Sequence, residues 1–323
     1  MRCGIIGYGK MGRIRHDAIL SNGGSVEAIY ELDESLTIEN RVGSIDEVIQ
    51  ASIDAVFICT PNFLNKELTI KALMAGKHVF CEKPPAFTSK DVLDIKYVEI
   101  KSGKKLVYGF NHRHHDSIKD IKRMVASGEF GKILWMRSRY GKCVDEKFFD
   151  NWRSKKDLAG GGILLDQGIH MLDLLLYLAG DFDEVHSICS NNFWNIDGIE
   201  DNVFAIFKNS KSGISASLHS TMTQWRHLFS LEIFMEKGYL TLNGLKTPSG
   251  AYGKEILTIA VNRTNPPQAM WVDEKDVEYV VDNSWSSEVS YFFNAIENDT
   301  PIESGCTSDA YKLMKIIDRI YGK

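Results

Sequence analysis

No uncharged apolar run in this 323-residue chain approaches the roughly 18 residues that a membrane-crossing helix needs, which argues against a membrane bundle. Neither charge dominates: 38 Lys and Arg stand against 43 Asp and Glu, a formal charge of −5, which argues against a general nucleic-acid or anionic-membrane binder. Cysteine is sparse, and Cys3, Cys59, Cys81, Cys143, Cys189 and Cys306 are scattered without a CxxC pair. That spacing reads as reduced thiols rather than a disulfide framework or a zinc site. The chain enters directly through MRCGIIGYGKMG, with no apolar leader or small-residue cleavage site, and a cytoplasmic location is the expectation. What is present is ordinary for a globular protein, 44% hydrophobic and 25% charged, and the length suggests two domains.

Through residue 112 short apolar runs alternate with helical patterns, as βαβ units with a parallel sheet do. Strands are expected at 2–6, 26–30, 54–60, 78–81 and 105–110, and helices at 10–20, 44–51, 62–75 and 89–102. After that the rhythm changes. A helix at 117–126, a strand at 133–140 and an apolar helix at 163–179 lead into a stretch, 183–281, dominated by two-residue alternation. This reads as a large, mainly antiparallel open sheet, closed by helices at 286–298 and 308–321. The expected division is a dinucleotide-binding domain at 1–112 and an α+β domain at 113–323 for substrate and oligomer contacts, with a last helix able to pack back on the first domain.

Gly7-Tyr8-Gly9-Lys10-Met11-Gly12 follows a strand and opens a helix, the context in which GxGxxG points to a dinucleotide. Gly7 makes the tight turn, Gly9 admits a pyrophosphate to the backbone, and Gly12 lets helix and strand approach. Free N–H groups at the helix start would hold the phosphates. Glu31 follows Gly12 by 19 residues at the end of the second strand, placed to accept hydrogen bonds from a ribose. No Arg or Lys occurs in Leu32-Asp33-Glu34-Ser35, which favours NAD over NADP without excluding the latter. An acidic solvated turn is the plainer reading of the same residues.

Further on stand Thr60-Pro61-Asn62, then Glu82-Lys83-Pro84, then Gly160-Gly161-Gly162 leading to Asp166, Gly168, His170 and Asp173. In this combination the chain resembles the Gfo/Idh/MocA family of sugar and cyclitol oxidoreductases, from residue 1 to about 180 and more loosely beyond. The resemblance implies an N-terminal Rossmann domain, and a C-terminal domain whose open sheet covers the active site and mediates dimers or tetramers. It puts Thr60, Pro61 and Asn62 against the cofactor and Lys83 at both nicotinamide and substrate. Asp166 and His170 become the other catalytic groups, and Glu82 joins the cofactor contacts. Asn151-Trp152-Arg153 and Phe110-Asn111-His112-Arg113 resemble segments where substrate contacts are common, making Asn111, Arg113, Trp152 and Arg153 candidates. Two departures stand out. The family's TPNxxH ends here in Asn65, which offers a hydrogen bond but no titrating group. Only 12 residues separate Glu31 from Ser44, too few for the full helix the family has there.

On their own terms, Asp166 and His170 stand four apart on an apolar helix and share a face, which Asp173 continues. A carboxylate there can orient an imidazole, and an imidazole is the natural base for a hydroxyl proton near neutral pH. Lys83, in a loop stiffened by Pro84 and Pro85, suits an oxygen that develops alkoxide charge. The same Asp–His pair is equally an ordinary helix-face contact. His112-Arg113-His114-His115 lacks the carboxylate or cysteine partners of a metal site, and no metal is expected. The leading expectation is hydride transfer between a nicotinamide cofactor and a secondary alcohol of a sugar, cyclitol or nucleotide-linked sugar. A non-catalytic sensor of NAD(H) or sugar on the same scaffold, and a reductase of a non-sugar carbonyl or imine, stay open.

Overall fold

The computed structural model describes residues 1–261 and 266–323. The first of its two compact units takes Met1–Asn111 and Ser284–Lys315, the second His112–Asn283 and Ile316–Lys323. A single cut near 112 cannot represent a chain that returns to its first unit.

The first unit runs β1 (Arg2–Ile6), α1 (Lys10–Ser21), β2 (Ser25–Tyr30), α2 (Ile45–Gln50), β3 (Ala55–Ile58), α3 (Asn65–Met74), β4 (His78–Glu82), α4 (Ser89–Ser102) and β5 (Leu106–Gly109). Its five strands are all parallel in the order β2-β1-β3-β4-β5. β3 and β5 are buried along their whole lengths, as strands covered on both faces must be. Thr88 and Ser44 cap their helices by accepting the N–H three residues on. Strand order reverses between β1 and β3, and in such sheets ligands bind at the carboxyl ends of the strands that flank this point. The helix missing after β2 is missing in fact: residues 31–44 form a loop whose single bridge pairs Arg41 with Ile29.

The second unit carries α5 (Asp116–Ser127), β6 (Ile133–Cys143), α6 (Lys156–Ala159), α7 (Ile169–Ala179), β7 (Glu184–Ser190), β8 (Asn202–Lys208), β9 (Ser215–Thr221), β10 (Thr223–Met235), β11 (Gly238–Asn243), β12 (Glu255–Val261) and β13 (Lys275–Tyr279). The strands form one open sheet in the order β13-β12-β11-β10-β6-β9-β8-β7, antiparallel except between β6 and β9. Within Lys156–Ala179 one 18-residue window is apolar enough to cross a membrane, yet 78% of that window is buried within the fold. It is a core helix. Two further helices, α8 (Ser284–Glu297) and α9 (Thr307–Ile320), end the chain. α8 seats Val289, Phe292 and Phe293 in the same core as Ile5, Phe57 and Phe80, which is why it belongs to the first unit.

The expected helix at 163–179 is unbroken, but its first turn is wound differently. Leu164–Gly168 winds as a π turn before α7 begins, so Asp166 and His170 are separated by a wider turn than a regular helix supplies.

Candidate active site

At the switch point the chain turns sharply at Gly7, whose φ of +88° a side chain would strain. A Cβ there would lie 2.7 Å from the Cys59 carbonyl oxygen, and one at Gly12 would lie 2.1 Å from the Gly7 oxygen. These two glycines are therefore demanded by protein packing. Gly9 differs: a Cβ there meets nothing within 4 Å, and the space above its backbone is open. Gly9 is also the N-cap of α1 and brings no side-chain cap, which leaves the first N–H groups of the helix available to an anion. Lys10 and Met11 form the first turn of α1, Lys10 exposed and Met11 partly covered. Glu31 Oε2 accepts from the Tyr8 N–H at 2.5 Å, so the carboxylate at the end of β2 sits directly on the glycine turn. Tyr8 hydrogen-bonds His16 through its hydroxyl at 2.6 Å.

The loop after Glu31 is organised by a residue that sequence reasoning passed over. Arg41 donates to the carbonyls of Leu36, Glu31 and Asp33, each at 2.7 Å, and so ties down the stretch where the helix is missing. Hydrogen bonds from Ser35 hold the Asp33 carboxylate below its ordinary pKa.

Thr60, Pro61 and Asn62 follow β3, with all three side chains partly exposed and Asn62 opening a short 3₁₀ turn. Lys83 follows β4 directly and is joined to Pro84 by a cis peptide bond; its side chain is partly exposed while Glu82, Pro84 and Pro85 are buried. Glu82 and Asn65, expected beside the cofactor, both have protein partners. Asn65 is fully buried and donates from Nδ2 to the Glu82 carbonyl at 3.1 Å and the Pro84 carbonyl at 2.8 Å. Glu82 Oε1 accepts from Arg15 Nε at 2.7 Å. Arg15, fully buried, also brings Nη1 within 2.7 Å of Glu288 Oε2 and lies over the rings of Phe80 and Trp285. One signal of this was readable: Arg15 interrupts the Gly12, Ala18, Ile19 stripe of α1, and a charge on a buried stripe requires a buried partner.

In the second unit the glycine run is explained by Glu200. Its carboxylate accepts from the Gly162 N–H at 2.7 Å and the Leu164 N–H at 2.9 Å, supplying a cap to the helix entrance, and Tyr321 donates to it at 2.8 Å. A Cβ on Gly162 would lie 2.1 Å from the Glu200 carbonyl oxygen. Burial nonetheless pushes the Glu200 carboxyl above its ordinary pKa.

Asp166, delivered by the π turn, accepts from Lys142 Nζ at 2.8 Å through Oδ2 and from Arg153 Nε at 3.0 Å through Oδ1. Arg153 in turn lies over the Trp152 ring. His170 is 7% exposed and stacks on His112 with centroids 4.1 Å apart and planes 18° from parallel. His112 Nε2 meets the Tyr140 hydroxyl at 3.0 Å. Tyr252 packs against Tyr140 and His227 and donates to Gln167 at 3.2 Å, next to Asp166 in the chain. Burial and the Lys142 charge hold His227 below the usual imidazole pKa. Tyr140, Tyr252 and Gln167 carried no motif and were invisible in the sequence.

Two candidates occupy buried positions. Arg113 makes a bidentate pair with Asp173, at 2.7 and 2.6 Å, and stacks on Tyr177, while Asn111 donates to Ser284 at 3.1 Å. His115 of the histidine run bonds Glu255 at 3.0 Å. Among the described residues no three His, Cys, Asp or Glu side chains assemble into a metal site.

A doubly wound parallel sheet whose switch point carries an open glycine turn, together with a second unit built on an open antiparallel sheet, defines a two-domain dinucleotide-dependent class. Residues 1–110 match the model of the oxidoreductase family with an NAD-binding Rossmann fold, and residues 118–241 that of the Gfo/Idh/MocA C-terminal domain. The chain belongs to the Gfo/Idh/MocA family. It is 32% identical over 209 residues to D-glucoside 3-dehydrogenase of Escherichia coli, covering 61% of this chain and 58% of that protein. To levoglucosan dehydrogenase of Pseudarthrobacter phenanthrenivorans it is 36% identical over 169 residues, 51% of this chain and 43% of the relative. The chain thus aligns with only about half the length of these relatives. A solved levoglucosan dehydrogenase in complex with NADH and levoglucosan superimposes with a TM-score of 0.88 at 22% identity, over 100% of this chain and 96% of that one, a likeness of fold.

Proposed function

We propose that the protein is an NAD(H)-dependent oxidoreductase acting on a secondary hydroxyl of a sugar, cyclitol or nucleotide-linked sugar. The observation that carries the reading is the glycine turn: open above Gly9, uncapped at α1, and with the Glu31 carboxylate bonded to the Tyr8 N–H. Those features fit a dinucleotide. Its phosphates would take the N–H groups at the start of α1, its ribose hydroxyls would take Glu31, and Thr60, Pro61 and Asn62 would flank it. An acidic residue at Glu31 supports NAD over NADP. A bound nicotinamide supplies the hydride exchange.

The chain's own residues supply the rest. His170 takes the hydroxyl proton on an imidazole nitrogen as the alcohol becomes a ketone, and returns it in the reverse direction. The stack on His112 restrains the orientation of the imidazole. Lys83 is a donor suited to stabilising the negative charge that develops on a reacting oxygen. Asp166, paired with Lys142 and Arg153, is the orienter of His170, and Trp152 and Arg153 contact substrate. Sugar dehydrogenases among the relatives support the substrate class. We further propose a homodimer or homotetramer formed through the open sheet, supported by Phe204 and Ile206, which are 53% and 61% exposed on one face of β8.

The test is titration with NADH and NADPH by fluorescence, then a 340 nm screen of sugars, cyclitols and sugar nucleotides. Tighter NADH binding and turnover of one of them is expected, with His170→Ala keeping NADH affinity while kcat falls about 100-fold or more. Tighter NADPH binding refutes the role of Glu31, and full turnover by His170→Ala refutes the base.

A further inference from the structure

Lys83 sits on a turn whose neighbours expose two backbone carbonyls to the interior. Glu82 and Pro84 are buried, and Pro84 and Pro85 have no N–H to contribute to any local bond. Buried carbonyls require partners, and the side chain that reaches both comes from Asn65 at the start of α3. Its two amide hydrogens go to the carbonyl before Lys83, at 3.1 Å, and to the one after it, at 2.8 Å. On the other side of the carboxamide, Thr60 Oγ1 lies 3.4 Å from Oδ1.

We infer that Asn65 is the positioning residue of Lys83, bracketing its backbone from both sides and linking it to the Thr60 turn. The inference rests on the proposed role of Lys83, and the assignment of Asn65 follows from donor geometry. Two hydrogens on one nitrogen bridge carbonyls two residues apart. An imidazole carries its N–H groups on two divergent nitrogens and satisfies one of the two carbonyls. An ionised aspartate offers no donor and faces both carbonyls with negative charge. Leucine fills a similar volume and removes the amide donor from both carbonyls, leaving that of Glu82 only the Cys81 thiol at 3.3 Å. The side chain is fully buried and its amide hydrogens are spent on the two carbonyls that flank Lys83, so its effect on turnover passes through the lysine.

Asn65→Leu, Asn65→Asp and Asn65→His are compared with wild type, and Phe292→Leu serves as a core variant that destabilises the same unit elsewhere. The first readout is amide hydrogen exchange at Lys83 and Ala86. Asn65→Leu and Asn65→Asp are expected to exchange there at least about tenfold faster, with β4 and β5 unchanged and the NADH Kd within about threefold. Phe292→Leu accelerates exchange across the sheet without singling out this turn. The second readout is kcat on whichever sugar or cyclitol turns over in the 340 nm screen, expected to fall about 10- to 100-fold in Asn65→Leu with KM little changed, and less in Asn65→His. Unchanged exchange at Lys83 and Ala86, or acceleration no greater than that in β4 and β5, overturns the inference. Lys83→Met separates the two claims: if it keeps full kcat, the role of Lys83 is wrong, while exchange still judges Asn65.

Discussion

Replacing Arg15 by Met should destabilise the first unit by about 3–5 kcal/mol, and the reason lies in what it leaves behind. In the native cluster one guanidinium faces two carboxylates at 2.7 Å each, and at an effective dielectric of about 20 each contact gains about 6 kcal/mol. Stripping water from three buried ions costs several kcal/mol apiece, so the intact cluster is close to balanced. Methionine keeps most of the contact with Phe80 and Trp285 but strands Glu82 and Glu288, side chains only 8% and 1% exposed. The stranded carboxyls relieve the loss by taking up protons, so the penalty should be larger at pH 8 than at pH 5. Urea unfolding followed by Trp fluorescence measures both values. The triple variant Arg15→Met, Glu82→Gln, Glu288→Gln removes every charge and should recover much of the loss, a non-additivity expected of groups in one network. A penalty below about 1 kcal/mol for Arg15→Met, or one that grows on acidification, refutes the account.

Burial and the nearby Lys104 depress His78 to about 4 from 6.5, and its Nδ1 accepts from the Lys105 N–H at 3.0 Å. The unfolded chain therefore binds the proton first as pH falls from 6.5 towards 4, and stability is lost in that window. Solvent screening at a half-buried ring reduces the effect to about 1 kcal/mol at pH 5, and His78→Asn, which keeps an acceptor, should lose this pH dependence; an unaltered slope in the variant counts against it. On the open sheet, Phe204→Glu with Ile206→Glu places charges on exposed apolar positions and should lower the molar mass seen by light scattering without lowering Tm. A wild-type protein already monomeric at 50 μM, on the order of a working concentration, would remove the basis for the proposed dimer or tetramer.

Much of the fold was legible because its signals are local. Fully apolar strands, Gly at turns and Thr or Ser before helices each act within a few residues, and all five strands of the first unit stand within two residues of their expected places. The glycine turn was legible for the same reason, since turn, cap and helix start lie within six residues. Arg41 was not, because it serves as a tie across the loop ten residues after Glu31, in a region without periodicity. The irregularity of β10 was not either: its pairing with β6 lapses between Thr223 and Leu228, a break that alternation cannot announce.

The sequence by itself determined the two rhythms, the dinucleotide turn, and the identity of Lys83, Asp166 and His170 as the residues to watch. The rhythms and the turn follow from residue type at short spacing, and the three residues from the motifs that carry the family resemblance. Only the tertiary structure decided what those residues lean on. The chain returns at Ser284 to complete the first unit, bringing Glu288 to Arg15 across 273 positions of sequence. Asn65 reaches Lys83's neighbours across a helix, Glu200 caps a helix 36 residues upstream, and Lys142 and Arg153 converge on Asp166 from different elements. Buried polar groups must be satisfied, but satisfaction is indifferent to sequence distance, so the partner is chosen by packing and appears only when the chain is folded.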